Sequence, residues 1–386
     1  MLGSCDAGKS ANRPGGTAAQ LSPSPAPRPS TISPGASTPA PVPAPAPVSA
    51  AEAGAVLYAK YCALCHGPEA KGYIADNAPS LVSDTFLRSA TDQFLASGIA
   101  RGRPGTPMAP YGAAYGGPLN DVQVQQVVAF LRSKGPAAEP LLAVATGNAA
   151  AGKPVFAQHC QKCHGDGPKR SSPRLDLPEF LQAATNSFLD YAIRKGRPGT
   201  PMEPFEGKLK QQQIDDVIAY LRTFESPRPA SALEAPTGKE PMVINPKGKP
   251  AQLKLRDGRF ASAADVAAAF KAKRRLVILD ARAASDWMLG HIPGAVSMPY
   301  YDMRRLEEVP KDGTWVLAYC ACPHHASGEV VDELRRRGYP NTAVIDEGIT
   351  FWRQQGYPMV DPPGGYRPEV KAPAGHDGHD HSSHGH

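Results

Sequence analysis

The chain has 386 residues, 42 of them proline and 37 glycine, gathered largely toward its ends and joints. That length and punctuation exclude one compact domain and ask for two or three. No apolar run reaches the length a membrane-spanning helix needs, and the net charge of +6 is mildly basic, which favours acidic redox partners or solvated linkers and suggests no nucleic-acid partner.

The chain opens with Leu2-Gly3-Ser4-Cys5, which resembles the end of a bacterial lipoprotein signal and makes Cys5 a candidate lipidation site and membrane tether. Residues 13 to 49 then alternate proline with alanine and serine. Such a stretch buries no core and predicts an extended, solvated spacer, so residues 1–49 are read as tether.

Residues 50–137 form the first folded segment. Ala51 to Cys62 reads as a helix running into Cys62-Ala-Leu-Cys65-His66. Two thiols at this spacing add across the two vinyl groups of one porphyrin, and the histidine that follows turns back onto the iron. A zinc half-site or a redox dithiol can use the same spacing, but zinc needs a second ligand pair and none lies between Cys65 and Cys160. Downstream, Gly-Arg-Pro-Gly-Thr-Pro-Met108 forces an irregular loop that can aim the Met108 thioether. An amphipathic helix is predicted from Asp121 to Ser133, with Val124, Val127, Val128, Phe130 and Leu131 on its apolar face.

Residues 146–226 repeat the pattern after a linker near Pro136 to Gly147. Gly152 to Cys160 is the entering helix, Cys160-Gln-Lys-Cys163-His164 the attachment motif, and the identical heptapeptide ends at Met202. Gln211 to Phe224 is the closing amphipathic helix. Repetition of motif and loop at similar spacing argues for one unit used twice. Both segments resemble small class I cytochromes c. The resemblance implies two all-α domains and two covalent haem c groups, held by Cys62, Cys65, His66 and Met108 and by Cys160, Cys163, His164 and Met202, with the histidines and methionines on iron. It also implies a site of haem attachment outside the cytoplasm, hence the periplasm.

A hinge at residues 227–250 leads into residues 251–362, where strands and helices alternate. Leu276 to Asp280, Thr314 to Tyr319 and Ala343 to Ile345 read as strands, with helices at Ala263 to Lys271 and Ser327 to Arg337, which predicts an α/β domain with a parallel sheet. Asp280-Ala-Arg282, Gly290-His-Ile-Pro-Gly-Ala295, Tyr319-Cys320, Gly348-Ile-Thr-Phe-Trp352 and Gly356-Tyr-Pro358 together resemble a single rhodanese domain. That resemblance implies Cys320 as the persulfide-bearing nucleophile, at a strand end before a helix whose amides and dipole hold anionic sulfur.

The loop Cys320-Ala-Cys322-Pro323-His324-His325 departs from the rhodanese pattern. His325 stands where an arginine is usual, Pro323 removes one amide, and Cys322 adds a thiol. Turnover of a dianion such as thiosulfate is weakened. Cys322 as a resolving partner of Cys320, or a soft-metal site for copper or zinc on these thiols and imidazoles, is favoured instead. Residues 363–386 form a His-rich tail in which His376, His379, His381, His384 and His386 are weak metal candidates.

Taken together the sequence predicts a periplasmic dihaem electron carrier serving other redox proteins. Its rhodanese module is either a sulfurtransferase or sulfur-oxidising site acting on small sulfur species, or an idle module used for docking or metal binding.

Overall fold

The computed structural model describes residues 48–72, 78–103, 106–165, 172–225, 232–321 and 324–363. The Cys5 tether, Cys322, Pro323 and the histidines of the tail lie outside the described residues.

Helix α1 (Ala50–Tyr61) starts where Ser49 and Glu52 satisfy each other: the Glu52 amide donates to Ser49 Oγ at 3.2 Å and the Ser49 amide donates to the Glu52 carboxylate at 2.9 Å. The short α2 (Ala63–His66) carries the attachment motif, and α3 (Asp84–Ser89), α4 (Asp92–Arg101) and α5 (Asp121–Arg132) follow. Asn120 and Gln123 make the same reciprocal cap for α5. The second unit repeats the set as α6 (Ala149–His159), α7 (Gln161–His164), α8 (Pro178–Ala183), α9 (Asn186–Lys195) and α10 (Gln211–Arg222). Thr91 and Thr185 cap α4 and α9 identically, each Oγ1 accepting an amide at 3.1 Å.

Each unit is closed by its first and last long helices, α1 against α5 and α6 against α10. The apolar stripes read from sequence meet there: Tyr58 packs with Phe130 and Val127, and Phe156 with Tyr220, Val217 and Ile218. At the crossings a glycine is required. A methyl on Gly54 would sit 1.8 Å from the Gln126 carbonyl oxygen, and one on Gly152 would sit 1.9 Å from that of Asp216.

The two helical units face each other through equivalent surfaces, α3 against α9 and α4 against α8. Phe94 and Phe188 stack with centroids 4.6 Å apart, flanked by Phe86–Phe188 at 6.4 Å and Phe94–Phe180 at 6.3 Å. Arg103 lies over Phe94 and Phe180, and Arg197 over Phe188 and Phe86. These residues occupy matching places in the two repeats, so the contact is close to two-fold symmetric. The sequence reading found the long helices but not this face, because α3 and α8 are too short to show a period.

The last domain adds β1 (Leu255–Arg256), β2 (Phe260–Ala261), α11 (Ala263–Lys271), β3 (Leu276–Asp280), α12 (Ala284–Met288), β4 (Val296–Ser297), β5 (Trp315–Tyr319), α13 (His325–Arg336), β6 (Thr342–Ile345) and α14 (Gly348–Gln354). The sheet runs β1-β2-β6-β5-β3-β4, parallel except for the β1–β2 edge. Successive residues of β3 serve opposite faces: Val277 and Leu279 pack with α13, and Leu276 and Ile278 with α11 and α14.

The stretch expected to be a hinge is in large part packed. Met242 is buried in the core beneath α13, the Ile244 amide pairs with the Leu276 carbonyl at 2.8 Å, and the Leu233 amide donates to Met288 at 2.8 Å. Its apolar run Met242-Val243-Ile244 has a sheet edge to cover, which proline and lysine on either side disguise.

Gly54→Ala is expected to lower stability by about 1–3 kcal/mol, since backbone must move to admit the methyl. Thermal unfolding followed by circular dichroism, compared with an exposed control such as Ala59→Gly, measures it.

Candidate functional site

Helix α1 delivers Cys62 to the start of α2, where the His66 amide donates to the Cys62 carbonyl at 3.0 Å and the Cys65 amide does so at 3.2 Å. One helical turn thus presents both sulfurs and the imidazole together. Tyr58, buried on α1, donates its hydroxyl to Gly67 at 2.7 Å and pins the exit of the turn. In the second unit the Cys163 and His164 amides return to Cys160 at 3.1 and 2.9 Å, and Phe156 replaces the tyrosine.

The histidines are prepared alike. Nδ1 of His66 lies 3.0 Å from the Pro79 carbonyl, and Nδ1 of His164 lies 2.8 Å from that of Pro173. A carbonyl only accepts, so Nδ1 carries the proton and Nε2 keeps its lone pair for a metal. Burial holds the His66 imidazole below its usual range, favouring that neutral form. Burial, with Cys65 adding to it, pushes the Cys62 thiol up to about 12, and burial with Cys163 pushes Cys160 to about 11. Both pockets therefore suit uncharged sulfur, as a thioether is.

The two methionine loops share one geometry. The Arg103 amide donates to the Met108 carbonyl at 2.7 Å, Thr106 Oγ1 donates to the Arg103 carbonyl at 2.7 Å, and the Met108 amide donates to Thr106 Oγ1 at 3.1 Å. Arg197, Thr200 and Met202 repeat this at 2.8, 2.7 and 3.1 Å. Gly102 and Gly196 enter the loops at φ +64° and +61°, where an added methyl would strike the carbonyl oxygens of Met108 and Met202 at 2.5 and 2.6 Å. The threonine is the residue whose role the sequence concealed. Donor set, tautomer and pocket polarity fit a covalently bound haem in each unit.

In the α/β domain, Cys320 directly follows β5 and is 2 % exposed. Its sulfur lies 3.3 Å from Ser327 Oγ on the first turn of α13, a partner the sequence did not announce. The Ile349 amide donates to the Cys320 carbonyl at 3.0 Å, and Gly348, at φ +68°, leaves no room there for a methyl. His324 takes the left-handed conformation at φ +85° and places Nε2 2.7 Å from Asp346, which Arg256 also grips at 2.9 Å. His325 opens α13 with a buried, unpartnered Nδ1. Among the described residues no group of three or more His, Cys, Asp or Glu side chains is placed to hold a metal.

At the C-terminal end of β3, Asp280 is fully buried and bound by Tyr319 Oη at 2.7 Å and by Arg282 at 2.6 and 2.9 Å. Nearby Asp286 on α12 is raised to about 6, by burial above all, against the opposing pull of Arg282.

The family described as cytochrome c oxidase, cbb3-type, subunit III matches residues 49–131 and again 147–221, and the rhodanese-like domain family matches residues 262–355. The chain is a tandem cytochrome c joined to a rhodanese-like domain. Cytochrome c domains of this kind carry covalently bound haem c and transfer electrons. The tandem cytochrome is 30 % identical over 187 residues to the cbb3-type cytochrome c oxidase subunit FixP of Bradyrhizobium sp. (strain ORS 278), covering 45 % of this chain and 61 % of that one. Its match to the dihydro-heme d1 dehydrogenase of Pseudomonas aeruginosa is 38 % over 79 residues, covering 20 % of this chain and 16 % of that one. Among solved structures, a rhodanese-like domain from Anabaena sp. aligns at 22 % identity and a TM-score of 0.26, covering 33 % of this chain and 96 % of that one. The tandem cytochrome thus spans about three fifths of the length of the oxidase subunit it matches.

The raised Asp286 gives a pH prediction. Its folded pKa of about 6 exceeds the ordinary 3.8, so its contribution to stability is complete below about pH 4 and is lost as pH rises through 6. Asp286→Asn is expected to gain on the parent by on the order of 2–3 kcal/mol between pH 4 and pH 7.5, read as a widening melting-temperature difference.

Proposed function

We propose that the chain carries two haem c groups, one on Cys62, Cys65, His66 and Met108 and one on Cys160, Cys163, His164 and Met202, and passes electrons from low-valent sulfur at Cys320 to a partner redox protein outside the cytoplasm. The observation that carries this reading is the placement of Cys320: its loop-bearing domain packs directly on the first cytochrome unit, with Leu64, between the two attachment cysteines, against the apolar core that contains Cys320. When bound, haem c supplies a one-electron ferric/ferrous couple.

The residues at Cys320 suit a small donor. His324 is engaged by Asp346 and His325 stands where arginine is usual, so a compact monoanion such as hydrosulfide suits the loop better than a dianion. The step balances as follows: the Cys320 thiol and hydrosulfide form an S–S bond, two protons leave to water, and two electrons leave singly to one-electron oxidants of the class that two ferric haems provide. Sulfur is oxidised from the thiol and sulfide level to the persulfide. Ser327 Oγ, at 3.3 Å, holds the Cys320 sulfur toward the first turn of α13. Cys322 as a resolving thiol and the tail histidines as copper or zinc ligands lie outside the described residues. Membrane attachment through Cys5 completes the proposal; no helix among the described residues is long and apolar enough to cross a membrane.

A second reading has one observation in its favour. The contact between the α/β domain and the first cytochrome unit is itself extensive, as a purely docking module requires.

Intact-mass measurement should find two covalent haems per chain, and one after Cys160→Ser with Cys163→Ser. For the sulfur step, oxidised protein mixed with sulfide should show haem reduction in the visible spectrum that Cys320→Ser slows at least tenfold. Equal reduction in both proteins leaves the docking role.

A further inference from the structure

The two attachment motifs are equivalent in sequence but not in surroundings. Around the first, Leu64 packs into the α/β domain, and α2 lies against α13. Tyr300 donates its hydroxyl to the Tyr61 carbonyl at 2.8 Å and meets the Tyr111 hydroxyl at 3.3 Å. Tyr301 packs edge-on against Tyr61 with centroids 4.9 Å apart. Ser285, buried, donates to the Pro110 carbonyl at 2.6 Å, just past the Met108 ligand.

At the matching places of the second unit stand His159 for Tyr61, Lys162 for Leu64 and Phe205 for Tyr111. The ring pair is kept, since His159 and Phe205 lie 6.2 Å apart edge-on as Tyr61 and Tyr111 do. What differs is the cover: His159, Gln161 and Lys162 are exposed. His66 is 7 % exposed, whereas His164 is only partly buried.

We infer that the α/β domain is a cap that withdraws the first cytochrome's attachment face from solution, leaving the second unit's face around His159, Gln161 and Lys162 as the one at which a separate redox protein docks. The chain is cationic overall, and a cation stands between the attachment cysteines of the open face, so the partner it fits presents carboxylates. The capped face needs the opposite chemistry: a charge at position 64 would be pressed against the apolar core of the α/β domain, which explains leucine there and lysine at the exposed position 162. This inference uses electron transfer alone and stands whether or not Cys320 handles sulfur.

The test uses the full-length, haem-loaded protein. Hydrogen exchange should be slower across residues 61–66 than across 159–164, and Leu64→Lys should speed exchange at 61–66 and in α13 while leaving 159–164 unchanged. Equal protection of both motifs in the parent protein overturns the cap. For the open face the probe is ferrous EDTA, an anionic one-electron reductant. Lys162→Glu should slow haem reduction about three- to tenfold at low ionic strength and flatten its salt dependence, while Lys60→Glu, at an exposed lysine beside the covered motif of the first unit, changes it less than twofold. Slowing by both, by neither, or by Lys60→Glu alone overturns the assignment.

Discussion

Everything in the helical part of this protein depends on two close backbone crossings, α1 over α5 at Gly54 and α6 over α10 at Gly152. With side chains absent at these points the helices approach until main chain meets main chain, and the crossing angle and depth are set by sterics rather than by an adjustable core. The depth of that crossing decides where Cys62 and Cys160 emerge. It therefore decides where the attachment turns and, through the core residues Val127 and Val217, the remaining helices are laid.

On this frame the chain repeats one unit and then treats its two copies unequally. The carbonyl-bound imidazoles and the threonine-braced methionine loops are the same in both, down to tenths of an ångström in their hydrogen bonds. The differences lie in residues outside the Cys, His and Met sets themselves: Tyr58 against Phe156, Tyr61 against His159, Leu64 against Lys162. Chemistry common to both units is fixed near the ligands, and the distinction between them is made one shell out by what each unit leans against.

Much of this was readable in the sequence, and the reasons for the remainder are specific. The Cys-x-x-Cys-His motifs, the twin heptapeptides and the long amphipathic helices are local patterns, fixed by covalent spacing or by helical period. The strand run Leu276 to Asp280 announced itself by length and branching. Hidden were contacts whose partners are far apart in the chain. Phe86, Phe94, Phe180 and Phe188 each open a Phe-Leu pair in a short helix, and nothing in either repeat shows that the phenylalanines meet one another while the leucines turn into their own cores. Tyr300 and Tyr301 sit in a loop where tyrosine has no evident purpose until Tyr61 and Tyr111 are beside them. The unlike residues Leu64 and Lys162 are visible at a glance, but only a helix more than 200 residues downstream, α13, gives the leucine its meaning.

The near two-fold contact between the cytochrome units has a consequence for assembly. Phe94 stacks on its own counterpart Phe188, and each arginine, 103 and 197, covers one ring from each side. A surface that pairs with a copy of itself is what an isologous homodimer presents. Here one chain carries both copies of that surface, so the pairing is intramolecular and its extent does not depend on protein concentration.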